Sequence, residues 1–315
     1  MRRLSSAAAF LLLLAQAAPV AAEPGLTAVP FLKRPLGARA AAMGSAFTAV
    51  PGAIEAAQYN PAGLAALPAK SFTSTYLQSF GGTNYGYFAY GHPTRQGTLA
   101  AGVLYFNAGK IDLNLSDGTR GTVTAEEDTA FNFSYARDLP GGVSAGATYR
   151  RLRLSLAETA RTSSNQGDFG LLWRAPLKGL SLGAAYQYLG PDITYEEAGD
   201  PPPRTLRYGA AYRVENIPIS SLDSSIDVQY FDATLAADMV ESLREKRSPR
   251  VGLEMGIEPA FMDRFAVRFG WVFERDAESF TFGLGCREGR FILDYAFGLA
   301  RDFDPLQQLS LSFQF

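Results

Sequence analysis

One cysteine and one histidine in 315 residues remove whole classes of chemistry. Cys286 has no partner for an internal disulfide, so an exported chain of this length must be held together by other means. His92 stands beside Pro93 in a predicted turn, with no converging nucleophile or ligand set, so metal binding and Ser-His catalysis lack their parts. The glycines lie in strands and turns and not between a strand and a helix, which leaves no phosphate loop. Charge of either sign is also scarce: 29 Lys and Arg oppose 31 Asp and Glu, for a net −2 with no basic stripe for nucleic acid. Beyond the N-terminus no apolar run approaches the roughly eighteen residues of a membrane-spanning helix. Neither an enzyme nor a cofactor nor a metal is expected.

What is present begins with residues 1–22, which read as a secretory signal. Arg2 and Arg3 form the basic start, Ala7 to Ala15 the apolar run, and Val20-Ala21-Ala22 the cleavage site. From about Ser71 onward the pattern is short alternating segments divided by turns. Phe265, Val267, Phe269, Trp271 and Phe273 fall on one face, against Ala266, Arg268, Gly270 and Val272 on the other. Phe291, Leu293, Tyr295 and Phe297 oppose Ile292, Asp294, Ala296 and Gly298 in the same way, as do Leu309, Leu311, Phe313 and Phe315 against Ser310, Ser312 and Gln314. In a soluble sandwich the large apolar face fills a core, whereas in a membrane barrel it meets lipid and the small and polar face lines the interior. Frequent Gly, Ala and Ser on the minor face, aromatics near strand ends and the phase of Phe315 favour the barrel. The ending Leu309, Leu311, Phe313, Phe315 resembles the terminal-strand assembly signal of bacterial outer-membrane proteins.

About fourteen strands are expected, near residues 71–80, 84–92, 97–107, 129–137, 143–154, 166–175, 180–190, 205–214, 224–232, 249–258, 264–274, 279–287, 290–299 and 307–315. With the first strand rising from the periplasm, the long connections 108–128, 155–165, 191–204 and 233–248 fall outside and the short ones inside, as such barrels require. Leu235, Met239 and Leu243 recur at helical spacing, so a short amphipathic helix is expected within 233–248. Gly81-Gly82, Gly86, Gly91 and Gly102 make the early strands the most easily kinked, and a lateral gap is expected there.

The stretch 37–64 is unlike the rest: small and apolar, punctuated by Pro51-Gly52 and by Asn60-Pro61, and able to form two short helices inside the barrel. The expected division is 1–22 signal peptide, 23–70 plug and 71–315 barrel. Gly37, Arg39, Met43, Gly44 and Phe47, followed by Asn60-Pro61-Ala62-Gly63, are similar to the N-terminal segment of PorV/PorQ family proteins and, more distantly, of FadL-family long-chain fatty-acid transporters. The resemblance covers about thirty residues. It implies an all-β, fourteen-stranded outer-membrane barrel with a hatch in the lumen. As function it implies passive transfer of hydrophobic compounds or, as the alternative, a docking role in type IX protein secretion.

The charged residues of the minor face, Arg207, Arg213, Glu254, Arg268 and Asp294, with Asp168 and Arg174, are expected to line the lumen, where an unpaired charge is costly. A network holding the plug through Arg39, Glu55 or Asn60 follows. The expected surroundings are outer-membrane lipid and lipopolysaccharide, the barrel-assembly machinery, a hydrophobic small molecule and, on the alternative, a secretion partner. A monomer is expected, with no nucleic acid.

Overall fold

The computed structural model describes residues 27–79, 82–114, 120–218, 228–259, 261–274, 279–299 and 305–315. The signal-like segment 1–22 lies outside them. The first nine strands are β1 (Ser71–Gln78), β2 (Asn84–Thr94), β3 (Gly97–Asn107), β4 (Lys110–Asn114), β5 (Arg120–Thr124), β6 (Glu126–Leu139), β7 (Val143–Leu156), β8 (Ala160–Arg174) and β9 (Leu180–Leu189). The rest are β10 (Ile193–Thr194), β11 (Gly199–Asp200), β12 (Thr205–Pro218), β13 (Val228–Ser242), β14 (Ser248–Pro259), β15 (Arg264–Val272), β16 (Phe280–Glu288), β17 (Phe291–Leu299) and β18 (Leu306–Gln314). Fourteen of these form one closed antiparallel wall, while β4–β5 and β10–β11 are separate two-stranded hairpins. The seam is β1 on β18, in register from Ser71 opposite Gln314 to Gln78 opposite Gln307. Closure leaves no unpaired edge, which is how a wall without disulfides satisfies its backbone in hydrocarbon.

The alternation fixes which face points where. Phe133, Phe169, Leu235 and Leu311 are each at least half exposed (57%, 60%, 53% and 50%), whereas Arg268 and Asp294 are 2% exposed. Trp271 and Leu293 also face outward. A greasy exterior around a polar interior is the transmembrane arrangement, inverted from that of a soluble sandwich.

Three expectations fail. The connection 155–165 is not long: β7 runs to Leu156 and β8 starts at Ala160. Residues 233–248 hold no helix: they continue β13 to Ser242, and the remaining turn is short. The ninth wall strand therefore lies at Val228–Ser242 and not at 224–232. Nor do the early strands part. Between β1, β2 and β3 the register runs unbroken from Ser71 opposite Gly91 and from Asn84 opposite Asn107. Register shifts occur instead at β8–β9, β12–β13 and β13–β14. Gly91 admits Leu67 and Ile54 of the plug, so its missing side chain serves packing and not a kink.

The plug fills the lumen with little regular structure. A 3-10 turn at Pro30–Lys33 precedes one short α-helix, α1 (Ala38–Ala42), and two further 3-10 turns at Ile54–Gln58 and Pro61–Ala66. The first of the two expected helices stops after five residues because Gly44 and Ser45 adopt left-handed backbone (φ 61° and 60°).

Candidate functional site

Inward glycines, paired across the wall, make the seats of the plug. Gly252 opposes Gly270, and a side chain on either would overlap Met43 or Gly44. Gly146 opposes Gly170, where Pro61, Ala62 and Asn60 press against the strands. Gly183, opposite Gly209, lies against Thr48. Backbone thus meets backbone, and polar groups can be exchanged between plug and wall.

Asn60 uses its whole amide. Its Nδ2 donates to the carbonyls of Thr48 (2.8 Å) and Leu171 (2.9 Å), and its Oδ1 accepts from the N–H of Ala62, capping the 3-10 turn that Pro61 begins. Gly63 stays close to this turn, its N–H donating to the Asn60 carbonyl and its carbonyl accepting from Gly52. Gly44 donates its N–H to Thr281 Oγ1 (3.0 Å). Asp238 accepts the N–H groups of Phe47 and Thr48 and the Thr48 hydroxyl, 2.6 to 2.9 Å away. Gly37 begins α1 with φ 91°, closely packed on Glu55.

The charges gather on one side. Arg39 Nε and Nη2 donate to Glu254 Oε2 and Oε1, each at 2.8 Å, a two-pronged match. Arg268 donates to Glu254 (2.6 Å) and Asp294 (2.8 Å), and Arg264 to Asp232 (2.6 Å) and Glu254 (3.2 Å). Three guanidiniums and three carboxylates close on themselves. Glu55, only 5% exposed, is a fourth carboxylate at the edge of this set. Burial pushes its pKa up, Asp294 adds to the effect, and Arg39 and Arg268 oppose it. Burial works against the Arg39 charge, but Glu254 more than offsets it and holds the Arg39 pKa above its ordinary value.

Of the charges singled out in the sequence, Arg39, Glu254, Arg268 and Asp294 meet directly. Arg207 does not join them: it donates to Gln187 Oε1 (2.8 Å) and lies over the Tyr59 ring. Arg213 pairs with Glu215 at the short-turn end, both largely exposed. Asp168 meets Arg150 (3.0 Å), while Arg174 pairs separately with Asp138. Sequence reasoning missed Asp232, Asp238, Arg150 and Arg264. Arg264 shares strand parity with Arg268, and this signal could have found it.

Two cavities of about 360 Å³ and 470 Å³ lie at the short-turn end, and Arg39, Pro51 and Arg213 line both. Toward the other end the lumen is apolar. Val29, Phe31, Leu32 and Leu36 of the plug pack with Leu77, Tyr85, Leu104, Phe106, Leu154, Tyr188 and Leu306 of the wall. Phe31 lies flat on Phe106, ring centres 5.3 Å apart and planes within 2°. Tyr188 Oη donates to the Leu32 carbonyl (2.7 Å), Lys33 pairs with Glu245, and Ala28 donates its N–H to the Pro201 carbonyl. These residues form a closed apolar cage, in which Phe31 itself fills the space beside Phe106.

No protein-family model and no curated protein matches this chain. Solved structures do. The Pseudomonas putida toluene transporter TodX aligns with a TM-score of 0.55 at 12% identity, over 89% of this chain and 98% of that one. The CymD monoaromatic hydrocarbon channel aligns at 0.52 and 11%, over 89% and 97%. A Pseudomonas aeruginosa FadL homologue aligns at 0.45 and 10%, over 89% and 98%. The chain thus has the fold of the outer-membrane hydrocarbon channels, a closed fourteen-stranded barrel.

Proposed function

We propose that this protein is a monomeric outer-membrane channel for passive uptake of small hydrophobic compounds, with flat aromatic hydrocarbons as the class that best fits its cage. The short-turn end then faces the periplasm and the hairpins β4–β5 and β10–β11 face outside. The Phe31–Phe106 stack supports this reading: a planar ring of the plug lies flat on a ring of the wall inside a buried apolar cluster, and a planar ligand of similar size would be buried in its place. TodX is a toluene transporter and CymD a monoaromatic hydrocarbon channel, and both share the fold. A ring that replaces Phe31 gains the burial that Phe31 gives up, so exchange costs little. From the cage, passage continues past the plug to the two periplasmic cavities once the Arg39–Glu254 clasp opens. No nucleotide and no covalent step is used.

The test is uptake of radiolabelled toluene by cells that lack their own hydrocarbon channels and express this chain. Faster entry than in the empty host, and slower entry with Phe106→Asp in a folded barrel, supports the channel. Equal rates in all three strains refute it. The docking reading implied by the resemblance to PorV and PorQ would leave the apolar cage without a use. A deletion strain with normal hydrocarbon entry but failed export of secreted proteins would favour it.

A further inference from the structure

The outward face of β6, β7 and β8 changes character abruptly toward the extracellular rim. Register places Ala101, Phe133, Tyr149 and Gly167 in one row across β3, β6, β7 and β8, and Leu99, Tyr135, Ala147 and Phe169 in the row below. Large rings thus stand beside alanine and glycine, and the relief between them is a groove of about 850 Å³ on the barrel's exterior. The next rows up are Arg151 opposite Asn165, Arg153 opposite Ser163, and Ser155 opposite Arg161. Three guanidiniums therefore stand on the lipid side of the wall, directly above an apolar groove.

Most of this face is built. Arg151 donates to Asn165 Oδ1 (2.9 Å) and Ser163 Oγ (2.7 Å), and the Tyr149 hydroxyl donates to the same Asn165 oxygen (2.8 Å). Arg153 lies over the Phe131 ring (5.2 Å). The contacts of Arg151 and Arg153 are to neutral groups, so these two arginines keep their charge available. Two carboxylates stand at this rim: Glu127, across from Ser155 and already accepting from the Tyr105 hydroxyl, and Glu158 in the turn, which accepts from the Thr124 N–H and feels the charges of Lys110 and Arg161.

We propose that this face is a binding site for a phosphorylated glycolipid of the outer leaflet, of lipid A chemistry. Its phosphates sit on Arg151, Arg153 and Arg161, and an acyl chain runs down the groove between Phe133, Tyr149 and Phe169. Guanidinium forks match phosphate oxygens, and Asn165 and Ser163 can turn to sugar hydroxyls. Charge complementarity selects the head and the groove selects the tail, so a molecule with both is held where either part alone is not. This inference rests on the outer-membrane location argued above.

The test is native mass spectrometry of the detergent-purified full chain with three probes: bis-phosphorylated lipid A, the same lipid without phosphates, and phosphatidylglycerol. We expect one retained lipid A. We further expect occupancy about tenfold lower for the dephosphorylated lipid, for phosphatidylglycerol, and for bis-phosphorylated lipid A on an Arg151→Gln, Arg153→Gln, Arg161→Gln triple variant. A second variant, Ala147→Trp, fills the groove floor and should lower lipid A retention while leaving the arginines in place. Folding of each is checked by its heat-modifiable gel mobility. Equal occupancy on wild type and triple variant, or indifference to the phosphates, overturns the site. Toluene entry is expected to be unchanged in the triple variant. A protein that enters the outer membrane and carries hydrocarbon but shows equal occupancy sinks only this site, whereas one absent from that membrane sinks the location.

Discussion

Arg39 of α1 and Glu254 of β14 are joined by two hydrogen bonds of 2.8 Å, between residues 215 positions apart in sequence. Glu254 is fully buried, and this pair is where α1 is clasped to the wall. Removing the guanidinium leaves three buried carboxylates facing Arg264 and Arg268 alone. Arg39→Leu should therefore cost the plug about 3 kcal/mol of local stability. Hydrogen exchange of residues 37–59 should quicken and conductance in planar bilayers should rise, while the barrel keeps its folded gel mobility. Arg39→Lys retains the charge but not the two-pronged match, and should fall between the two.

Glu55 makes the same cluster sensitive to pH. With three guanidiniums already matched by Glu254, Asp232 and Asp294, its carboxyl is better buried with its proton, and its folded pKa lies above the ordinary 4.5. Below the unfolded value both states hold the proton and the plug is at its firmest. Stability is lost as pH rises through the folded value, because only the unfolded chain gives up the proton freely. Exchange protection of residues 53–59 should decline as pH rises from about 4.5, and Glu55→Gln should remove that decline. A profile identical in the two proteins would show that folding does not raise the Glu55 pKa.

The wall was legible because a strand with lipid on one side and a polar lumen on the other must alternate, and Arg264 to Val272 or Phe291 to Leu299 can do little else. β13 was misread for a reason that lies in the same geometry. Leu235 and Met239 are four residues apart, a spacing that keeps two side chains on one face of a helix and equally on one face of a strand. Leu235 faces outward while Ala236 and Asp238 face the plug, which settles the period as two. The error hid Asp238 and displaced the strand that carries Asp232. Arg39 was legible as a partner in principle, but its choice of Glu254 follows from how α1 packs on β15, β16 and β17 so that this side chain reaches β14, which no local pattern encodes.

Asn60 should tolerate no substitution that keeps its size but changes its hydrogens. Asn60→Asp replaces the donor to the Thr48 and Leu171 carbonyls with an acceptor, setting oxygen against oxygen in a buried site. A loss of about 2 kcal/mol is expected in the local stability of residues 60–66, read as faster exchange at Ala62 and Gly63. Asn60→Ala loses the same bonds without the repulsion and should be the milder variant.

Glycine pairs offer a test of the plug's seating that leaves every charge in place. At Gly270 an added methyl would meet Gly44 and the Thr281 hydroxyl, so Gly270→Ala must push Met43–Gly44 off the wall and break the Gly44 to Thr281 bond. At Gly86 the nearest atom to an added methyl is Phe88 Cε2, 3.9 Å away, which is ordinary contact. Both residues stand in strands, where alanine is at no conformational disadvantage to glycine, so the two substitutions differ only in what they strike. Gly270→Ala should loosen residues 42–48 by about 1–3 kcal/mol, as overpacking does, and Gly86→Ala should be close to neutral. Limited proteolysis from the periplasmic side reads this directly: a new cut within the plug is expected for the first variant alone. No new cut in either would mean that the plug is held by its ion pairs and amide bonds without help from the paired glycines.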